Sequence, residues 1–132
     1  MRHTKKYYKY RYVRVDSHEL HDFHERLKKI TEEQIEKHVS KILAGSKGNE
    51  PKERIIAEYL CQKACRRNLR QLMHLHKWDT RYRKGFSCTF EYGDICHKYY
   101  IYASGSADTV DQAYIEACKD FINSCKSRAQ QP

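Results

Sequence analysis

The sequence predicts an α+β fold, because the spacing of its apolar residues changes from a strand period to a helix period. Between residues 86 and 92, apolar or aromatic side chains occupy every second position, which places them on one face of a strand. The same alternation covers residues 95–103. From residue 110 to residue 122 the apolar spacing becomes three and four, which is typical of a helix with one buried stripe. A two-stranded ribbon and a helix can cover each other's apolar faces, so we expect the centre of the core here.

Turn and cap residues set the expected bounds of these elements. Gly93 and Asp94 predict a tight turn between the two strands, because glycine tolerates positive φ and aspartate hydrogen-bonds locally to the backbone. Residues 104–106, Ser-Gly-Ser, predict a loop after the second strand. Asp108 is the expected N-cap of the last helix, and Asp111 adds a favourable negative charge in the first turn.

Further elements are predicted before this region. Residues 16–19 and 31–34 each resemble a capping box, and apolar residues at helical spacing follow both. Residues 44–50 form the best linker candidate, because they are rich in glycine and polar residues. Residues 51–67 predict another helix, since a proline suits a first turn. Residues 75–82 are a candidate strand.

The expected organisation has three parts. Residues 1–48 form a basic, tyrosine-rich arm and a helical extension, residues 49–126 form a compact domain, and residues 127–132 form a disordered tail. The net charge of +9 over 132 residues indicates an acidic partner, such as nucleic acid, an anionic membrane surface or an acidic protein. Apolar runs are far shorter than the ~20 residues that span a bilayer, and the first residues lack the apolar segment of a signal peptide. We therefore expect an intracellular protein, cytoplasmic or nuclear, with no membrane partner.

The cysteines are expected to be structural, and the histidines of the first helix are expected to lie on the surface. The six cysteines, without a secretory signal, are expected to be reduced and to pack as small hydrophobes. His18, His21 and His24 stand three apart, and neighbouring turns could bring some of them to one metal ion. Because that spacing drifts around a helix, surface histidines are the preferred interpretation. No cofactor or metal is expected, since no Gly-rich phosphate loop, serine nucleophile signature or zinc-ribbon cysteine pair occurs.

Two basic segments are the candidate nucleic-acid contacts. Residues 1–15 contain lysines, arginines and tyrosines but no acid, and residues 81–84 form a basic turn. Cations release counterions from phosphates, and tyrosine rings stack on bases. For residues 1–15 an edge strand with solvated cations stays open as an alternative. The candidates are Lys5, Lys6, Lys9, Arg11, Arg14, Arg81, Arg83 and Lys84 as phosphate partners, and Tyr8, Tyr10 and Tyr12 as stacking or hydrogen-bonding groups.

Over residues 50–126, the expected order of helix, three strands and helix resembles the double-stranded RNA-binding domain. Residues 102–107 (YASGSA) and the following alanine-containing helix are similar to that family's third strand, Gly/Ser loop and second helix. Pro51 and residues 55–59 (IIAEY) are similar to its first helix, with one extra residue after the proline. The resemblance implies an α-β-β-β-α domain, here with a basic arm and extra helices, that binds double-stranded or structured RNA by shape and phosphate contacts. It also implies that Glu58 reaches into the RNA minor groove.

The chain departs from the family's pattern at two places. The lysine cluster that begins the family's second helix is replaced by Ala107, Asp108 and Asp111, and carboxylates there repel a phosphate backbone. The family's Gly-Pro-x-His loop is replaced by the cationic turn at residues 81–85. Some members of the family bind proteins or dimerise instead of binding RNA. A protein-interaction or homodimerisation module is therefore an open alternative.

A second alternative is an enzyme, although the favoured hypothesis is non-catalytic. Residues 73–76 (MHLH) resemble the metal-binding strand of HUH nucleases, which cut single-stranded DNA with a tyrosine. On a strand, His74 and His76 point the same way, as two ligands of one metal must. The candidates for the tyrosine and the nearby lysine of that family are Tyr114 and Lys119.

Overall fold

The computed structural model describes residues 5–9, as backbone, and residues 13–46 and 49–132. In that part of the chain, a π-helical turn extends the third helix and a short 3-10 turn precedes the second strand. The elements are β1 (Lys5–Lys9), α1 (Ser17–Lys28), α2 (Glu32–Ala44), α3 (Lys52–Leu60) with its π-helical turn (Cys61–Cys65), the 3-10 turn (Leu69–Leu72), β2 (Met73–Asp79), β3 (Lys84–Tyr92), β4 (Ile101–Ala107) and α4 (Val110–Ala129).

The strands form one antiparallel sheet in the order β1-β2-β3-β4. The predicted α+β class is confirmed. Cys88 lies opposite Leu75 on β2 and opposite Gly105 on β4, so these three residues share one face of the sheet. None of the helices in the described ranges is long and apolar enough to cross a membrane.

Helices cover that face of the sheet. Phe90 is fully buried, and its ring meets those of Tyr114 and Phe121 edge-on, with centroids 5.4 and 5.9 Å apart. α4 lies so close to β4 that a Cβ on Gly105 would stand 2.3 Å from the backbone nitrogen of Ala117. A glycine is therefore required at this point for the helix to pack on the strand.

Of the two capping boxes predicted from the sequence, the one at the start of α2 is complete, whereas α1 has only the N-cap half, from Asp16. The Asp16 carboxylate accepts from the backbone N–H of Glu19 at 2.8 Å, and the Thr31 hydroxyl accepts from that of Gln34 at 3.2 Å. α1 then buries an apolar stripe, in which the Phe23 ring meets Tyr92 edge-on at 5.1 Å. The helical extension thus packs into the same hydrophobic cluster as the sheet.

The prediction around β4 is wrong in three details. Residues 93–100 form an irregular connection in place of a tight turn, and the strand begins only at Ile101. Residues 104–106, predicted to be a loop, lie inside β4, because they pair with residues 87–89 of β3. The N-cap of α4 is Thr109, whose hydroxyl accepts from the Gln112 N–H at 3.1 Å, so Asp108 is not the cap.

Other predicted bounds also shift. β2 spans Met73–Asp79, whereas residues 75–82 were expected, because Thr80 and the residues after it form a turn. The third helix ends at the π-helical turn, since Arg66 is left-handed with φ of 55°. Burial of the cysteines agrees with their expected role as hydrophobes, except that Cys96 is exposed.

The tail expected to be disordered from residue 127 begins as helix. α4 continues to Ala129, and the Arg128 side chain donates to the carbonyl oxygen of Tyr100 at 2.8 Å. His24 is buried, stacks on Tyr99 with centroids 3.8 Å apart, and its Nε2 lies 3.1 Å from the carbonyl oxygens of Arg128 and Gln131. Because carbonyls only accept, His24 donates and holds this end of α4. The surface interpretation is therefore wrong for His24.

Candidate nucleic-acid interface

The turn between β2 and β3 is held by one threonine. The Thr80 backbone N–H donates to the carbonyl oxygen of Arg83 at 2.8 Å, and its buried hydroxyl accepts from the Arg83 N–H at 2.9 Å. The same hydroxyl lies 3.3 Å from the Tyr82 N–H. Arg81 and Arg83 are exposed on this hydrogen-bonded turn, and Tyr82 between them is 75% exposed. Here, "basic turn" means Arg81, Arg83 and Lys84.

Arg83 lies against a chain of hydrogen bonds that crosses the sheet. Its guanidinium carbon stands 4.4 Å from the centroid of the Trp78 ring, and its Nη2 lies 3.3 Å from the Ser106 hydroxyl. The Trp78 indole N–H donates to the Ser87 hydroxyl at 2.6 Å, and the Ser87 and Ser106 hydroxyls are 2.9 Å apart. The network holds the Arg83 guanidinium at the surface and places the hydroxyls of Ser87 and Ser106, from neighbouring strands, side by side.

These groups belong to one polar face of the sheet, on the side away from α3 and α4. Register pairs His76 with Ser87 and Ser87 with Ser106, so alternate residues of β2, β3 and β4 share this side. None of them is aliphatic, and the Tyr102 ring is 52% exposed. The polar face consists of His74, His76, Trp78, Ser87, Thr89, Glu91, Tyr102, Ser104 and Ser106.

A second cluster lies at the other end of the polar face. The Tyr100 hydroxyl donates to the Glu91 carboxylate, and His74 Nε2 lies 3.6 Å from the same carboxylate. Burial and the hydrogen bond to Glu91 raise the pKa of Tyr100, so its hydroxyl stays protonated above the pH at which a free tyrosine ionises. The Tyr100 and Tyr102 ring centroids are 6.4 Å apart. This end is aromatic and acidic, whereas the end at Trp78 is basic.

The structure places the backbones of some of the predicted phosphate partners near the basic turn. The backbones of Lys5 and Lys6 pair with Trp78 and Lys77, so the start of β1 lies beside the end of the sheet that carries the basic turn. Lys9 pairs with Leu75 further along β2, after a bulge that includes Tyr8. Arg14 lines a cavity of about 460 Å³ with Gly93 and His97, at the opposite end of the strands. Of the remaining candidates, Tyr10, Arg11 and Tyr12 lie outside the described residues.

Glu58, the implied minor-groove contact, lies among the helices. Its half-buried carboxylate accepts from the Tyr114 hydroxyl at 2.8 Å, and the Arg70 guanidinium stands 4.5 Å from the Tyr114 ring centroid. Burial, followed by this hydrogen bond, raises the pKa of Tyr114. The structure thus gives Glu58 a partner in helix packing and places it on the opposite side of the sheet from the polar face.

The residues of the nuclease alternative are separated. His74 and His76 lie on the polar face, whereas Tyr114 of α4 packs on Phe90 at the opposite face of the sheet. Among the residues that the structure describes, no three histidine, cysteine or acidic side chains are grouped to hold a metal ion.

Sequence reasoning named the basic turn but missed the side chains that anchor it. Strand register makes neighbours of Trp78, Ser87 and Ser106, and this register cannot be read from the sequence alone. A signal was nevertheless present, because Ser87 and Thr89 alternate with the apolar residues of β3 and therefore face the other way.

No protein-family model, curated protein or solved structure matches the chain. What the interface can do is therefore inferred from its geometry. A fixed guanidinium, hydroxyls on adjacent strands and an exposed tyrosine ring are donors and stacking surfaces suited to a polyanion that carries bases and sugars.

Proposed function

We propose that the chain is a non-catalytic nucleic-acid-binding protein that holds double-stranded or structured RNA against the polar face and the basic turn. The observation that carries the proposal is Arg83, fixed between the Trp78 ring and the Ser106 hydroxyl with Arg81 and Lys84 beside it. A preorganised cation loses less conformational freedom on binding a phosphate than a freely rotating one. The net charge of +9 supplies long-range attraction for the same partner.

The polar face suits RNA because of its hydroxyls. Ser104 and Ser106 are exposed on β4, with Thr89 half-buried on the neighbouring strand. Duplex RNA presents 2′-hydroxyls and phosphates across a wide, shallow minor groove, and these groups pair with hydroxyls and arginines without reading sequence. We therefore expect recognition of shape, with little preference among base sequences.

The likeness to the double-stranded RNA-binding domain is compatible with this proposal. α3, β2, β3, β4 and α4 follow one another in an α-β-β-β-α order, with both helices on one side of the sheet. The acidic residues Asp108 and Asp111 are exposed at the start of α4, and Glu58 is bonded to Tyr114. These departures move the proposed contact from the helices to the basic turn and the polar face.

The test is fluorescence anisotropy with labelled duplex RNA, duplex DNA and single strands, at two salt concentrations. We expect RNA affinity to fall steeply with salt, and the triple variant Arg81→Gln/Arg83→Gln/Lys84→Gln to lower the slope of log K against log salt by about 2–3. The matched control removes three lysines that pair with glutamates elsewhere: Lys28, Lys119 and Lys126, each changed to Gln.

Two outcomes would overturn the proposal. One is equal weakening by the control triple, which would reduce the effect to net charge. The other is no binding to any of these nucleic acids at low salt, which would favour the protein-interaction or dimerisation alternative.

A further inference from the structure

A groove of about 650 Å³ runs between α2 and α3, apart from the polar face. Its floor is apolar, with Ile42 on α2 and Ile55 and Tyr59 on α3. The His38 ring stacks on Tyr59, with centroids 4.4 Å apart. A space of this size admits a few large side chains.

Lysines line the rim of the groove. Lys37 and Lys41 project from α2, and Lys63 follows α3 with its ammonium 5.8 Å from the Tyr59 ring centroid. Within the described ranges, none of these three forms an ion pair, whereas Lys28 and Lys126 each approach a glutamate. The charge of the rim is therefore not neutralised by the chain's own described residues.

The two carboxylates at the groove are already engaged. Glu50 accepts from Arg54 at 2.9 Å, and Glu58 accepts from the Tyr114 hydroxyl at 2.8 Å. The pKa of His38 is lowered by partial burial and by the charges of Lys41 and Lys63, which agrees with a positive local potential. The groove thus combines an apolar floor with a cationic rim.

We propose that the α2–α3 groove binds an acidic amphipathic helix of a protein partner. The apolar floor requires apolar side chains on the ligand, and the three lysines require carboxylates beside them. Both walls are helices, which offer no free strand edge, so an extended peptide would gain no ladder of main-chain hydrogen bonds. A helix satisfies its own backbone and presents an apolar stripe at i, i+3, i+4 and i+7. A bare phosphate backbone would leave the floor unfilled.

The test is selection of a random 16-residue peptide library, displayed on phage, against the full chain, followed by synthesis of the enriched peptide. We expect enrichment of glutamate or aspartate around an apolar stripe of helical period. The synthetic peptide should lose about tenfold or more in affinity for Lys37→Glu/Lys41→Glu, which corresponds to about 1.4 kcal/mol or more. The control Lys28→Glu/Lys29→Glu makes the same charge change on and beside α1 and should bind as the wild type does.

Thermal unfolding of both double variants checks that they are folded, and Lys37→Gln/Lys41→Gln provides a milder replacement if charge reversal unfolds the chain. Selection of peptides without acids, no enrichment at all, or equal loss in the control would overturn the proposal. So would competition in which duplex RNA displaces the peptide, because that result makes the groove a nucleic-acid site. The Lys37→Glu/Lys41→Glu variant should bind duplex RNA as tightly as the control Lys28→Glu/Lys29→Glu, which has the same net charge, so this proposal and the RNA proposal fail separately.

Discussion

On β3, the side chains that face the helices and those on the polar face alternate residue by residue. Cys88, Phe90 and Tyr92 are fully buried, whereas Ser87 and Glu91, on the other side, hydrogen-bond to Trp78 and Tyr100. One strand thus carries a hydrophobic core on one side and a hydrogen-bonding surface on the other. Substitutions on the core side of β3 should therefore mainly lower stability, and substitutions at neighbouring positions on the polar face should mainly affect binding.

The largest contrast is expected between Phe90→Ala and Thr89→Ala. Loss of the Phe90 ring removes its contacts with Tyr114 and Phe121 and should lower the free energy of unfolding by about 3–5 kcal/mol. Thr89 is half-buried on the polar face, so its truncation should cost less than about 1 kcal/mol. Urea unfolding measures both. Equal losses of unfolding free energy in the two variants would show that the two faces do not differ as described.

The next contrast lies on β4, between Gly105 and its neighbour. A Cβ at Gly105 meets the α4 backbone at Ala117, which cannot yield without moving the helix. Gly105→Ala should therefore cost about 1–3 kcal/mol or more, whereas Ser104→Ala, on the exposed side, should stay within about 0.5 kcal/mol. A Gly105→Ala protein with unchanged thermal stability would contradict the close packing of α4 on β4.

α4 also covers the outer edge of β4 with polar side chains. The Asp120 carboxylate accepts from the Ser104 N–H at 2.9 Å, and the Ser124 hydroxyl donates to the Tyr102 carbonyl at 3.3 Å. Unsatisfied strand edges pair with other chains, so these bonds protect the sheet from association.

We expect Asp120→Ala to lower stability by about 1 kcal/mol, because the Ser104 N–H loses its acceptor. It should also increase self-association through the edge of β4. Analytical ultracentrifugation and thermal melting test this, with Lys119→Ala as the neighbouring surface control. If the control associates equally, edge protection by Asp120 is refuted.

The last expected effect concerns the pH dependence of stability in alkaline solution, and it comes from buried tyrosines on the helix side. Burial raises the pKa of Tyr92 and Tyr114 well above the usual 10. Because the unfolded chain releases these protons first, the stabilisation is present below pH 10 and is lost as pH rises above it.

Tyr92→Phe should therefore reduce the dependence of unfolding free energy on pH above pH 10, while the dependence between pH 7 and pH 9 stays that of the wild type. Urea unfolding at a series of pH values measures both ranges. An unchanged alkaline slope would contradict the burial of the Tyr92 hydroxyl.

Local signals predicted the starts of α1 and α2 correctly but failed at the turn after β3 and at the cap of α4. The caps at Asp16 and Thr31 were confirmed, because each depends on a side chain and a backbone group three residues away. Gly105 was misassigned to a loop, since its role depends on a helix that follows later in the chain. The network of Trp78 and Ser106 could not be predicted for the same reason, because it requires the register of three strands.

The most direct test of the RNA proposal uses Trp78, the chain's one tryptophan, which lies in the polar face under Arg83. Duplex RNA is titrated while intrinsic emission and the anisotropy of labelled RNA are followed together. The proposal predicts that Trp78 emission changes and saturates with the affinity that anisotropy gives, and that Arg83→Gln weakens both. RNA that binds by anisotropy while Trp78 emission stays constant would contradict the proposed interface.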